Sequence, residues 1–324
     1  MAGQYAQWVS SAHHRWRAGA IDPDTGGCSP ADRNDRGDKL MEYLVLPRIR
    51  VQRANALATP WAVTLTPVFA CTLFAHALGR DIGKQPMAVG LIHHDAQLLA
   101  EEFGKGGYGL YPQQFRAATY IDSADYSSKN KYALSLQPTV SMNLEISLVL
   151  LFEDQPSLKK VNAAMHQRRI AGGLIIDYGE PVAKDTLEGA IRTLSGGFFV
   201  VDRSEDIRNA SSASGKGRIE TLLSLVNDPP AGGDKRRWLS PAVMGYAALT
   251  DFEIRGGVRD NRHHAFSEPL VGLIEYHSVA QHKKLSGHEQ KGFPCFWRSK
   301  WLGDDVFVTQ SESLIEIEQE MNDE

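Results

Sequence analysis

Cysteine is scarce in this chain. Its 324 residues include three, Cys28, Cys71 and Cys295, far apart and with no CxxC pair. Neither a zinc ribbon nor a disulfide framework is encoded, and a reducing cytoplasm is the expected location. Long apolar runs are absent too, so no segment has the roughly 20 apolar residues of a membrane span. The first residues, MAGQYAQWVSSAHHRWR, lack the apolar core that directs export. Excess charge is also missing. The net charge is −4 and the pI about 6.3, which argues against a protein that coats polyanions by bulk charge and leaves room for a local basic groove. GKGG at 104–107 and GKG at 215–217 fall short of P-loop spacing, so nucleotide hydrolysis finds no support. Histidines pair at 13–14, 93–94 and 263–264. Neighbours on a strand face opposite ways, and no Cys or carboxylate stands at ligand spacing, so neither metal nor cofactor is expected.

What is present begins at Tyr43. YLVLPRIRVQRANALATPWAVTLTPVFACTLFAHALGR reads as a basic strand, an Asn/Pro-punctuated loop and an apolar helix. Strand side chains alternate, which sets Val45, Ile49 and Val51 on one face and Arg48, Arg50 and Gln52 on the other. Burying an unpaired Arg is costly, so the second face calls for an anion. RNA phosphate is the candidate, since a guanidinium donates two parallel hydrogen bonds to it. Arg53 and Asn55 extend the same surface. A salt-bridged sheet edge is the alternative.

The periodicity predicts a βαββαβ order. Strands run over 43–53, 87–95 and 143–152, with LIID at 174–177 as the fourth. The first helix has Thr66 as N-cap and Pro67 at its first position, with Val68, Cys71, Ala75 and Leu78 toward the core. The second runs from Pro156 along Leu158, Val161 and Met165, ends at Arg168 and Arg169, and stops at Gly172 and Gly173. This is an α+β, ferredoxin-like order, shared with RNA-recognition domains. Residues 1–40 form an Asp/Gly/Pro-rich extension, 41–180 the ferredoxin-like domain and 181–324 a second α/β region. Within the first domain, 96–142 is a projecting hairpin arm. Its tyrosines are interleaved with Lys105, Arg116, Lys129 and Lys131, a mixture suited to single-stranded nucleic acid. In the second region, SEPLVGLIEYHSV reads as a helix and KGFPCFWRSKWLGDDVFVTQ as a closing hairpin. SESLIEIEQEMNDE reads as a solvated acidic end, with docking on a basic partner as the alternative.

Further candidates follow from composition. Arg168, Arg169, Gly172 and Gly173 make a basic helix-to-strand turn where glycine lets a phosphate approach backbone. The other reading is a C-cap with arginines on the helix dipole. Tyr246 stacks on a base or fills core. Arg255, Arg259, Asn261 and Arg262 cluster in a loop. Trp297, Arg298, Lys300 and Trp301 form either an aromatic-basic surface or a hairpin with buried tryptophans.

These segments together resemble a known family, the Cas-five-type, or second Csy, subunit of the type I-F CRISPR surveillance complex. The resemblance runs through LVLPRIRVQRANALATPW, FAHALGR, LEISLVLL, RIAGG and GGFFVV. It continues through WLSPAVMGYAALTDF, VRDNRHHAFSEPLVGLIEY and FWRSKW, about residues 43–302. It implies a RAMP-type RNA-binding fold and a non-catalytic role in antiviral defence. Such a subunit grips the 5′ handle of CRISPR RNA and forms a heterodimer with the large subunit. It abuts the first backbone subunit and meets target DNA only through the assembled complex. Two other functions stay open. One is a CRISPR-RNA-processing endoribonuclease of similar fold with His76, His93 or His94 as general base; the other is a pure protein adaptor.

Overall fold

Fourteen residues, Glu42–Asn55, form strand β1, on which the rest of the chain is assembled. The computed structural model describes residues 41–59, 62–102, 110–112, 140–166, 168–227, 238–254 and 263–323. After β1 come α1 (Val68–Ile82), β2 (Ala88–Leu98), β3 (Ser141–Phe152), α2 (Leu158–Met165), β4 (Arg169–Ile170), β5 (Gly173–Asp177) and β6 (Val182–Lys184). The chain continues with α3 (Leu187–Thr193), β7 (Phe198–Asp202), α4 (Ser204–Ser214), α5 (Arg218–Asn227), β8 (Leu239–Ala248) and β9 (Ser267–Ser278). It closes with α6 (Val279–His282), α7 (Gly287–Gly292), β10 (Phe296–Leu302), β11 (Val306–Glu312) and α8 (Leu314–Asp323). The strands named here form one 11-stranded sheet of order β7-β9-β8-β11-β10-β2-β3-β1-β5-β4, with β6 also on β1. Among the described residues all its pairings are antiparallel. A further ribbon pairs Ala100–Glu102 with Leu110–Pro112 within the span read as an arm.

The first half stacks α1 and α2 on one face of β5-β1-β3-β2. Val68, Cys71, Ala75 and Leu78 of α1 and Val161 and Met165 of α2 share a buried cluster with Leu44, Leu46, Ile146, Leu148 and Leu150. Helical spacing had put the four α1 residues on one core-facing side and Val161 and Met165 on the stripe of α2. The start of α1 differs from expectation: Pro67 holds the cap position, with no side-chain cap bond. The Thr66 hydroxyl is engaged elsewhere, 2.7 Å from the Tyr276 phenol and 3.3 Å from His93 Nδ1.

In the second half five strands curl back on the first. Along one edge β2 pairs with β3. Its other edge takes β10 at Val89 and Gly90, and β7 at Ile92 and His93. The run β7-β9-β8-β11-β10 therefore leaves β2 and returns to it. Trp297, 1% exposed, fills the loop of strands and donates from Nε1 to the Val200 carbonyl at 2.9 Å.

Three sequence readings are corrected here. Residues 267–278 are strand β9, not helix. A short apolar run does not distinguish the two states, and Gly272 requires the strand's close packing: a Cβ there would lie 2.6 Å from Met244 Cγ. Arg168–Gly173 is not a helix-to-strand turn. α2 ends at Met165, and Arg169–Asp177 is a β-hairpin turning at Ala171 and Gly172 (φ 49° and 76°). The acidic end is not a solvated tail but helix α8, with Leu314 and Ile317 buried. Ser313 Oγ accepts from Glu316 N (3.2 Å) while the Glu316 carboxylate accepts from Ser313 N (2.6 Å), a reciprocal cap. Glu318 and Glu320 bind Lys291 and Arg298.

Gly245 lies where the β8–β9 register shifts and β11 crosses beside it. An added Cβ would press on the Phe307 carbonyl and sit 2.8 Å from Val308 Cα. Gly245→Ala is expected to cost about 1–3 kcal/mol through overpacking, seen as a lower urea midpoint at unchanged slope.

Candidate nucleic-acid interface

The second half of β1 carries the candidate site, and its geometry is set by two bulges. Register shifts fall between Leu46 and Ile49 and between Val51 and Ala54. Arg48 and Arg53 sit there at φ 52° and 55°, a region that side-chain-bearing residues seldom adopt. Each extra residue reverses the alternation. Leu44, Leu46, Ile49, Val51 and Ala54 consequently share one face. Val45 joins Tyr43 on the other, not Ile49 as strict alternation had placed it.

The first bulge turns Arg48 onto the protein itself. Its backbone N–H donates to Ser147 Oγ at 2.9 Å. Nη1 binds Glu145 Oε1 at 2.7 Å. Nε and Nη2 donate to Ser195 Oγ and Ser195 O at 3.2 and 3.0 Å. Outward display, read from the sequence for both arginines, describes Arg50 and not Arg48. Among the described residues Arg50 pairs with Asp177, at 3.6 Å with both side chains more than half exposed, a pairing of little energetic weight.

The sheet gathers several candidates at the far end of β1. Arg53 is exposed at the second bulge, its backbone N–H 3.3 Å from Asn143 Oδ1. Asn55 folds on itself: Oδ1 accepts from Leu57 N and Nδ2 donates to Leu57 O, both at 3.1 Å. Its own N–H donates to Ala171 O at 2.8 Å, which clamps the β4–β5 hairpin to β1. Gly173 is needed there, because a Cβ would fall 2.6 Å from Ala54 N. Arg169 is exposed, with Nη1 on the Gly172 carbonyl at 3.1 Å. The sequence reading passed over Leu174 and Ile176, 44% and 52% exposed beside these cations. Their alternation with buried Ile175 was the available signal.

Other candidates lie elsewhere. Arg168 binds Asp81 and donates to the Ala77 carbonyl at 3.5 Å, holding the last turns of α1. Tyr246 is half-buried edge-on against Phe69, ring centroids 5.2 Å apart. Trp301 packs on Phe307 at 5.0 Å, and Lys300 meets Glu312 at 3.5 Å. Lys105, Arg116, Lys129, Lys131, Arg255, Arg259, Asn261 and Arg262 lie outside the described residues.

The strand histidines face inward. His94 Nε2 meets Ser147 Oγ at 2.6 Å, and burial, reinforced by the Arg48 cation, pushes its pKa down to about 4. His93 leans on Tyr276 and is also lowered by burial. His76 Nδ1 is held by the Gln85 amide at 2.7 Å. Burial pushes the Cys71 and Cys295 thiols upward, away from nucleophilic reactivity. Among the described residues no three His, Cys, Asp or Glu side chains are grouped to hold a metal.

Arg48→Ala strands a half-buried carboxylate and a serine, so it should cost about 1–3 kcal/mol. Arg50→Ala should stay within about 0.5 kcal/mol; urea unfolding separates the two. Burial pushes the pKa of His94 and of His282 down to about 4 in the fold, against an ordinary 6.5. The unfolded chain therefore binds more protons between these values. Stability should be full above pH 6.5 and fall as pH drops toward 4, and His94→Gln should flatten that slope in pH-dependent unfolding.

The CRISPR-associated protein (Cas_Csy2) family model matches residues 44–305, nearly the whole described fold. A relative, the CRISPR-associated protein Csy2 of Pseudomonas aeruginosa (strain UCBPP-PA14), is 26% identical over 300 residues, covering 73% of this chain and 88% of that protein. With the match spanning both halves of the sheet, the chain belongs to the CRISPR-associated Csy2 family.

Proposed function

We propose that this chain is a non-catalytic RNA-binding subunit of a type I-F CRISPR surveillance complex, acting in the cytoplasm. It holds the 5′ handle of CRISPR RNA and docks to the large subunit and the first backbone subunit. The observation that carries the reading is the family match over 44–305. The strand order β5-β1-β3-β2, with two helices on one face, fits a ferredoxin-like, RAMP-type fold of Cas-five type.

The grip belongs at the end of β1 and its hairpin. Exposed Arg50, Arg53 and Arg169 there offer planar donors to phosphate, and glycine at 172 and 173 keeps the ridge low. Arg48 acts differently, as the internal tie that fixes the strand presenting them. The non-catalytic reading draws support from the candidate bases being tied to the protein through one ring nitrogen each, His94 to Ser147, His93 to Thr66 and His76 to Gln85.

Gel-shift titration with handle RNA in rising salt tests this. Arg50→Ala with Arg169→Ala should weaken binding and lower the salt slope by about 2, one per lost phosphate contact. Binding indifferent to salt and to both substitutions would favour the protein adaptor. Specific cleavage of repeat RNA, lost in His93→Ala or His94→Ala, would overturn the non-catalytic reading.

A further inference from the structure

Beyond the first bulge, the sheet face turned away from α1 is open: Arg50, Gln52, Asp95, Gln97, Leu174 and Asp177 are all exposed. The strand register sets its side chains in two rows. In the first, Gln97 of β2 pairs with Asn143 of β3, and Asn143 Oδ1 accepts from Arg53 N at the second bulge of β1. Gln52, beside Arg53, pairs with Leu174 of β5, and Leu174 pairs with Arg169 of β4. The neighbours Val51, Leu144 and Ile175 turn the other way, into the core under α1. With strands about 4.8 Å apart, this row of three amides, a leucine and an arginine spans about 19 Å. The second row is charged: Asp95 pairs with Glu145, Glu145 with Arg50, and Arg50 with Asp177.

Charge is graded along the same axis. Arg50, Arg53 and Arg169 lie on β1 and β4, with Asp177 3.6 Å from Arg50. Asp95 and Glu145 lie on β2 and β3, and Glu145 is held by Arg48 at 2.7 Å. Phosphate is drawn to the β1–β4 side and repelled from the β2 side. A single strand that follows the cations therefore turns its bases over the amides. A primary amide donates and accepts in one plane, which matches the amine of adenine with the ring nitrogen beside it. Asp95 accepts from such an amine and repels the carbonyl oxygens of uracil. Leu174, 44% exposed, offers apolar surface to a flat ring.

We infer, building on the RNA-binding reading above, that this row reads unpaired bases. Gln52 and Gln97 select bases that carry an exocyclic amine, adenine foremost, over uracil. Fluorescence anisotropy of the full chain with labelled oligoadenylate and oligouridylate tests it. The wild type should bind oligoadenylate about tenfold more tightly. Gln52→Met with Gln97→Met, both exposed and close in shape, should bring the two within about twofold and leave oligouridylate affinity and its salt slope unchanged. An oligomer of purine ribonucleoside, which lacks the amine, should bind the wild type as oligouridylate does. Equal affinities in the wild type, or a preference that survives both substitutions, would overturn the inference while a salt-dependent phosphate grip still stands. Binding of neither oligonucleotide would remove the RNA reading itself and this inference with it. Loss of the other subunits from the substituted chain, with the preference intact, would assign the face to a protein and overturn the inference too.

Discussion

Arg48 ties together three parts of the chain that are distant in sequence. Its backbone, at positive φ, shifts β1 against β3; its guanidinium then spans Glu145 of β3 and Ser195 in the loop leading to β7. That loop continues through Gly196 to Gly197, and the close fit of Gly197 against the His94 ring leaves no room for a Cβ. The strand that follows pairs with β2 and starts the curled half of the sheet. One half-buried ion pair, backed by two serines, thus joins the first four strands to the ring beyond them. An arginine so placed is stabilising because each guanidinium nitrogen has a defined acceptor. Removing it would leave Glu145 poorly solvated.

This tie also divides the labour along β1. Up to the first bulge the strand is buried on both faces, against α1 and α2 on one side and α3, β7 and α8 on the other. Beyond it one face opens, and Arg50, Gln52 and Arg53 reach solvent. The hairpin β4–β5 extends that face with Arg169 and two exposed aliphatic residues. Cation and apolar surface side by side suit a ligand with both phosphate and flat bases, which is the chemistry of single-stranded RNA.

Much of this was legible in the sequence because it is periodic. The stripe Val68, Cys71, Ala75, Leu78 and the alternation Leu144, Ile146, Leu148, Leu150 describe real faces. The closing hairpin was equally plain, with Gly303 at φ 72° in its turn. The bulges were hidden because arginine, not glycine, occupies both strained positions. Arg48's partner was hidden by distance, although a lone Glu145 inside LEISLVLLF marked a buried charge awaiting a cation. β9 was misread because both its faces are covered, which erases alternation. Helix α8 was misread because its anchors, Arg298 and Lys291, lie more than a score of residues upstream, where composition alone cannot pair them.

The division between an internal Arg48 and an outward β1 end is tested most directly by photocrosslinking. The assembled complex would carry CRISPR RNA with photoreactive bases in the 5′ handle, and crosslinked peptides would be mapped by mass spectrometry. The account predicts adducts within 50–55 and 169–176 and none on His93 or His94. Handle adducts confined to α4, α5 or the β10–β11 hairpin, with none on β1 or β4–β5, would contradict it.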